Sequence, residues 1–412
     1  MNITLVTVGT RGDVQPMVAL GQTLQQRGHT VTLAAPPDCR EWVTGQGIKF
    51  APLGSDMKQW LHSNPAALSG KPAAAIAAAR EFFARQLPLQ AQDIEAACQG
   101  ADAMVWAGLS LAAPVVAHRL RLPLLGVCFS TGVLPSPSGQ HAPPSARRHG
   151  LPRWINRVQW AMHSFVSNRI AGKPLNALRA QAGLPPVKLR DVLMQGQFFL
   201  AVDPELFPRD PAWGPNIRDG QFIFYNDPRP LDPELEAWLN EGEPPVYVGF
   251  GSMSGPGTAH IGSIVHEALA VTGRRCLISA GWAGLGTQGL PAHWRVVGDV
   301  AHPALFPRMA AVVHHGGSGT TANALRAGVP QVLLPLIMDQ YHHAHRLWKA
   351  GLTPQPVPME KITAPQLASA IQAAMALPAG PRQHFARRLR ESDGNAQVAA
   401  ALEALAAAAP AN

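Results

Sequence analysis

Residues 2–36, "NITLVTVGTRGDVQPMVALGQTLQQRGHTVTLAAP", decide the fold. The apolar run "NITLVTVG" reads as a buried strand, and "TRGD" turns it into an apolar-periodic helical segment, Met17 to Gln26, that ends at Gly28. A second strand, "HTVTLAAP", follows at once. The same rhythm recurs in "DAMVWAG", "LPLLGVCFS" and "GQFFLAV", which implies a parallel sheet with helices on both faces.

Between Phe207 and Pro233 the chain turns rich in Pro, Asp and Gly ("FPRDPAWGPNIRDG", "YNDPRPLDP"), the composition of an interdomain crossing. A second alternating series comes next in "PPVYVGFGS", "RRCLISAG", "HWRVVGDV", "AAVVHHGG" and "PQVLLPL". The expected architecture is α/β, with two Rossmann-like domains, residues 1–225 and 226–412, whose parallel sheets face a central cleft. Ligands in such sheets bind at the carboxyl ends of the strands. A chain of 412 residues with 47% hydrophobic content has material for both cores.

Bulk properties narrow the function. The opening "MNITLVTVGT" lacks a charged leader and no stretch approaches ~18 consecutive apolar residues, so a cytoplasmic location is expected. Cys39, Cys98, Cys128 and Cys276 lie far apart, which argues against a disulfide framework or a structural zinc site. Lys and Arg outnumber Asp and Glu by 34 to 26, which suits an anionic ligand, a nucleic acid or an acidic membrane surface.

The most informative block is "VVHHGGSGTTANALRAGVPQVLLPLIMDQ", Val312 to Gln340. A strand runs into a Gly-rich turn and then a helix, so backbone N–H groups of Gly317, Ser318, Gly319 and Thr320 can converge on a diphosphate. His315 and the Thr320 hydroxyl can add donors. The alternative is a tight connection in which His314 and His315 are satisfied locally.

This block resembles the donor-binding signature of the UDP-glucosyltransferase superfamily (GT-B glycosyltransferases, family 1), most closely its bacterial, fungal sterol, antibiotic and rhamnosyl branches. The resemblance implies His315 as the diphosphate ligand and the Asp339–Gln340 pair as ligands of the sugar hydroxyls. It also places Ser252 of "GFGSM" on phosphate, Trp282 and the backbone near Val300 around the nucleotide base, and Gly12 beside the donor. Where the plant branch carries a Glu for the ribose, this chain has Asn323, which leaves ribose and deoxyribose nucleotides both open.

The N-terminal turn "GTRGDVQPMVAL" is similar to the acceptor-side loop of the same family, which implies Asp13 as the general base of an inverting transfer. The alternative is a helix cap. Ser110 stands where an acidic partner would complete a dyad, so no dyad is expected. No metal motif is present, and "HHAH" (His342, His343, His345) reads as a helix face.

From Gln140 to Arg190 there are nine Lys or Arg and no Asp or Glu. Within it Trp154, Ile155, Val158, Ala161, Met162, Phe165, Val166 and Ile170 fall at helical spacing, opposite Arg153, Asn156, Arg157, Ser164 and Asn168. Such a stripe packs inward, lines an acceptor pocket, or lies on the inner face of the membrane as a peripheral contact through residues 153–170. The expected activity is transfer of a hexose, glucose from UDP-glucose first, to a hydroxyl of a hydrophobic small molecule or lipid. No cofactor beyond the nucleotide-sugar co-substrate and no nucleic-acid partner is expected. Two further readings are a dTDP-rhamnose-dependent glycolipid rhamnosyltransferase, suggested by "MDQYHHAHRL", and a nucleotide-sugar epimerase or hydrolase. A dinucleotide oxidoreductase is disfavoured, because no GxGxxG follows the first strand.

Overall fold

A computed structural model describes residues 1–55, 63, 72–251, 261–279 and 290–409. They form two compact units, one of Met1–Pro143, Leu151–Tyr225 and Asp393–Asn412, the other of Pro144–Gly150 and Asn226–Ser392. Six helices position or flank the candidate sites: α1 (Arg11–Gln26), α2 (Pro72–Ala97), α3 (Arg153–Gln181), α4 (Ser318–Ala327), α5 (Gln340–Lys349) and α6 (Gly394–Ala407).

The first unit is built on strands β1 (Asn2–Val8), β2 (Thr30–Ala35), β3 (Lys49–Pro52), β4 (Ala103–Gly108), β5 (Leu124–Cys128), β6 (Phe198–Leu200) and β7 (Ile217–Asp219). They pair in parallel in the order β3-β2-β1-β4-β5-β6-β7. A parallel sheet is covered on both faces, which is why β1 reads as an unbroken apolar run and buries every residue after Asn2. Its core gathers Ile3, Leu5, Val31, Leu33 and Val105 with Val14, Met17 and Leu24 of α1. The chain starts in the middle of this sheet, builds outward to β3, and crosses back to β4. The loops after β1 and β4 therefore diverge at a topological switch point, the place where such sheets hold ligands.

The second unit repeats the plan with β8 (Val246–Val248), β9 (Cys276–Ser279), β10 (Trp294–Val297), β11 (Ala311–His314) and β12 (Gln331–Leu333) in the parallel order β10-β9-β8-β11-β12. Its switch point lies between β8 and β11.

The division into units differs from the sequence reading in three places. The Pro-rich stretch expected as a crossing contains strand β7, and its "FIFY" segment, Phe222 to Tyr225, is buried in the first unit. The compositional signal comes from turns around short buried pieces, and the units divide at Tyr225 and Asn226. Residues 393–409, assigned to the second half by sequence position, pack in the first unit. Val398, Ala399 and Leu402 of α6 join that core, and Gly394 approaches so closely that a Cβ there would lie 2.3 Å from the Phe222 carbonyl oxygen. Conversely, Pro144–Gly150 belongs with the second unit, where Arg147 pairs with Glu360 at 2.6 Å and His149 stacks on His345.

Candidate active site

At the switch point of the second unit, β8 runs through buried Phe250 to Gly251, and β11 runs to His314. Gly251 takes φ +61°, a region open to glycine, and a Cβ there would lie 3.4 Å from His315 Cε1, so the two loop starts meet. The chain then caps α4 at Gly317 in an extended conformation. The first bond into the helix is donated by Thr321 N–H to the Gly317 carbonyl at 2.9 Å. The N–H groups of Ser318, Gly319 and Thr320 precede it and point out of the helix start. Among the described residues, a Cβ on Gly319 would meet nothing within 4 Å. Backbone donors at a helix N-terminus are suited to an anion.

The two adjacent histidines divide their roles. His314 is fully buried; its Nε2 donates to Gln331 Oε1 at 3.0 Å and its Nδ1 accepts from Gly316 N–H at 3.1 Å. Burial, with the neighbouring His315, pushes it down to about 3, so it is a neutral structural bracket. His315 Nδ1 is buried with no hydrogen-bond partner among the described residues. Burial and then nearby His343 hold its pKa down to about 4, so at neutral pH it offers an N–H donor without a charge. Gly317 makes room for this ring: a Cβ there would stand 2.5 Å from His315 Nε2.

Asp339 ends the loop after β12 and begins α5, with its side chain 29% accessible. Gln340 is buried, and its Oε1 accepts from Leu336 and Ile337 N–H at 2.9 and 3.1 Å. The carbonyl end of the amide is therefore committed to the turn. Sequence reasoning missed His343. Buried one turn into α5, it donates from Nδ1 to the Gly316 carbonyl at 2.8 Å and places Nε2 3.8 Å from Asp339 Oδ2. It thus links the Gly-rich turn to the Asp339–Gln340 pair. Met338, missed as well, takes φ +54°, a left-handed conformation costing about 1–2 kcal/mol, immediately before Asp339.

Of the remaining expected donor residues, Ser252 and Trp282 lie outside the described residues. Val300 sits after β10, partly buried against the cluster around Leu305 and Phe306. Asn323, on the second turn of α4, donates from Nδ2 to the Gly319 carbonyl at 2.9 Å, while its buried Oδ1 has no partner among the described residues. An amide offers one acceptor oxygen where a carboxylate offers two.

In the first unit, Asp13 sits in the opening turn of α1, at the β1–β4 switch point. It closes a capping box: its Oδ2 accepts from Thr10 N–H at 2.8 Å and lies 3.4 Å from the Thr10 hydroxyl. Gly9 lets the carboxylate fold back, since a Cβ there would lie 2.1 Å from Oδ2. The position that caps the helix thus also presents a carboxylate at the strand end. Gly12, exposed in the same turn, has only the Thr10 hydroxyl near a hypothetical Cβ, at 3.6 Å. The Ser110 hydroxyl turns away to the carbonyls of Ala107 and Val6, so it is occupied by backbone. Of the "HHAH" histidines, His342 and His343 are buried and His345 stacks on His149; among the described residues no group of three His, Cys, Asp or Glu could hold a metal ion.

Two parallel α/β units of this kind, one with a Gly-rich turn at its switch point and the other with a carboxylate there, are the architecture of the GT-B glycosyltransferases. Residues 3–122 match the glycosyltransferase family 28 N-terminal domain, and residues 278–403 match the erythromycin biosynthesis protein CIII-like C-terminal domain. The chain is 36% identical over 360 residues to a vancomycin aglycone glucosyltransferase of Amycolatopsis orientalis, covering 85% of each. It is 34% identical over 384 residues to a dTDP-epi-vancosaminyltransferase of the same organism, 91% of this chain and 90% of the other. A sterol 3-beta-glucosyltransferase of Arabidopsis thaliana is 30% identical over 428 residues, 98% of this chain and 67% of the other. The solved glycotransferase of kitacinnamycin superposes with a TM-score of 0.73 at 20% identity, covering 99% of each chain, a likeness of fold. The chain belongs to the glycosyltransferase family of the antibiotic and sterol glycosyltransferases, and it is an enzyme of that kind.

Proposed function

We propose that this glycosyltransferase moves a hexose, with inversion, from a nucleoside diphosphate sugar to a hydroxyl of a hydrophobic acceptor. The observation that carries the donor half is the Gly-capped start of α4 beside a buried, neutral His315 whose Nδ1 has no partner among the described residues. As the bond from the anomeric carbon to the diphosphate oxygen breaks, negative charge grows on the diphosphate. Backbone donors and the His315 N–H take up that charge without any residue having to move. Asp339 and the Gln340 NH2 hold the sugar hydroxyls. The acceptor oxygen bonds to the anomeric carbon while its proton passes to Asp13, and the proton moves late, since a carboxylate is a weak base.

Glucose from UDP-glucose is the donor we favour; the glucosyltransferases among the relatives support glucose as the sugar. A dTDP-sugar, rhamnose among them, is the second reading. It is supported by Asn323, which stands where the plant branch of the family carries a Glu for the ribose and bonds to the Gly319 carbonyl instead. A sterol or an antibiotic aglycone is an acceptor in line with the names of the relatives. Thermal-shift titration with UDP, dTDP, UDP-glucose, dTDP-glucose and dTDP-rhamnose tests the donor: at least one intact nucleotide sugar should raise Tm more than its free nucleotide. No shift with any of the five would overturn the assignment.

A further inference from the structure

We propose that the outward face of α3 is a docking surface for an anionic lipid bilayer. Trp154, Val158, Met162 and Phe165 are 62%, 52%, 65% and 63% exposed. At about 100° per residue they fall within an arc of about 80°. Scattered apolar residues on a surface are ordinary, but four large ones in a row on one helix face are not. Arg153, Arg157, Arg169 and Lys173 are exposed on the same helix, and the Arg169 guanidinium stands 5.5 Å from the Phe165 ring. No Asp or Glu occurs anywhere in α3.

The helix does not need this face to stay in place. Its other side buries Asn156, Trp160, Ala171, Gly172, Leu175 and Leu178 and packs along α2. Asn156 Nδ2 donates to the Gly139 carbonyl at 2.9 Å, and Trp160 Nε1 to the His141 carbonyl at 2.8 Å. The outward stripe is thus rigidly presented and unused by the fold.

Charge selects the occupant. A second copy docking through the same face would set these cations against their own kind with no carboxylate between them. A neutral apolar ligand would leave the cations unanswered. An anionic bilayer satisfies both features, since the apolar side chains enter the headgroup boundary while Arg and Lys meet lipid phosphates. Among the described residues no helix is long and apolar enough to cross a membrane, so the contact lies along the surface.

Flotation of the full chain with phosphatidylcholine vesicles, with and without phosphatidylglycerol, tests this. Binding should be at least tenfold stronger with phosphatidylglycerol and weaken steeply in salt. Met162→Ser with Phe165→Ser, and separately Arg157→Glu with Arg169→Glu, should each cut it at least tenfold without changing Tm, because all four side chains are exposed. Equal binding to both vesicle types, no binding, or binding indifferent to both double variants would overturn the proposal. So would a lipid-free dimer in light scattering that the serine variant abolishes, which would assign the face to a second copy. The salt dependence of the wild type keeps the test decisive even if a variant fails to fold.

Discussion

His343 donates from Nδ1 to the carbonyl of Gly316 at 2.8 Å, and this one bond fastens α5 to the Gly-rich turn. Gly316 itself takes φ +90°, and a Cβ on it would lie 3.3 Å from the Gln340 carbonyl oxygen, so turn and helix are in close register. His343→Leu removes the donor and leaves a buried carbonyl unsatisfied, a cost of about 1–3 kcal/mol. His343→Asn retains an N–H at nearly the place of Nδ1 and should recover part of that loss and most of the donor KM. Urea denaturation and donor titration of both variants check this; equal damage in both would show that ring volume, not the bond, matters.

Gly317 is required by the side chain two residues before it. Gly317→Ala would drive a methyl into the His315 ring, 2.5 Å from Nε2. The ring must turn, and nucleoside diphosphate binding should weaken roughly tenfold, about 1.4 kcal/mol, with little change in Tm. Calorimetric titration with UDP or dTDP reads this directly. Undiminished affinity would detach His315 from the diphosphate.

Stability should depend on pH through the same histidines. His314 and His315 are held at about 3 and about 4 in the fold, below the ~6.5 of a free imidazole. The unfolded chain therefore binds protons that the native one refuses. Their stabilising contribution is whole above about pH 6.5 and falls as pH drops towards 4, by up to about 1.4 kcal/mol per pH unit for each imidazole. His315→Gln should flatten the fall in Tm across that window. An unchanged slope would mean that other groups govern acid unfolding.

Much of the fold, and the Gly-rich turn at the head of α4, was legible in the sequence for physical reasons. Buried parallel strands need continuous apolar runs, and a phosphate turn needs glycines, so β1, β11 and the start of α4 announce themselves. Helical periodicity, in contrast, tells which residues share a face but not which face is buried. On α3 the stripe of Trp154, Val158, Met162 and Phe165 faces outward, while Asn156, expected on the polar side, is buried and bonded. His343 was hidden for a related reason: its value lies in a carbonyl 27 residues earlier in the chain, which no local pattern encodes.

In the proposed function Asp339 meets the sugar and not the nucleotide, whereas Gln340 also holds the turn through Leu336 and Ile337. Asp339→Ala should weaken the intact nucleotide sugar by tenfold or more, while the free nucleotide binds almost as before. Competition titrations of the two ligands decide it, and equal loss for both would place Asp339 in the fold of the loop.

In the proposed transfer Asp13 receives the acceptor's proton, and Asp13→Asn isolates that step. The Asn side-chain oxygen can still accept from Thr10 N–H, the bond that Asp13 makes at 2.8 Å, so the start of α1 keeps its cap. Only basicity is lost. With a turned-over acceptor at saturating donor, kcat should fall roughly 10²- to 10⁴-fold, with nucleotide affinity and Tm nearly unchanged. A kcat within a few-fold of wild type would rule out Asp13 as the base and leave it as a helix cap.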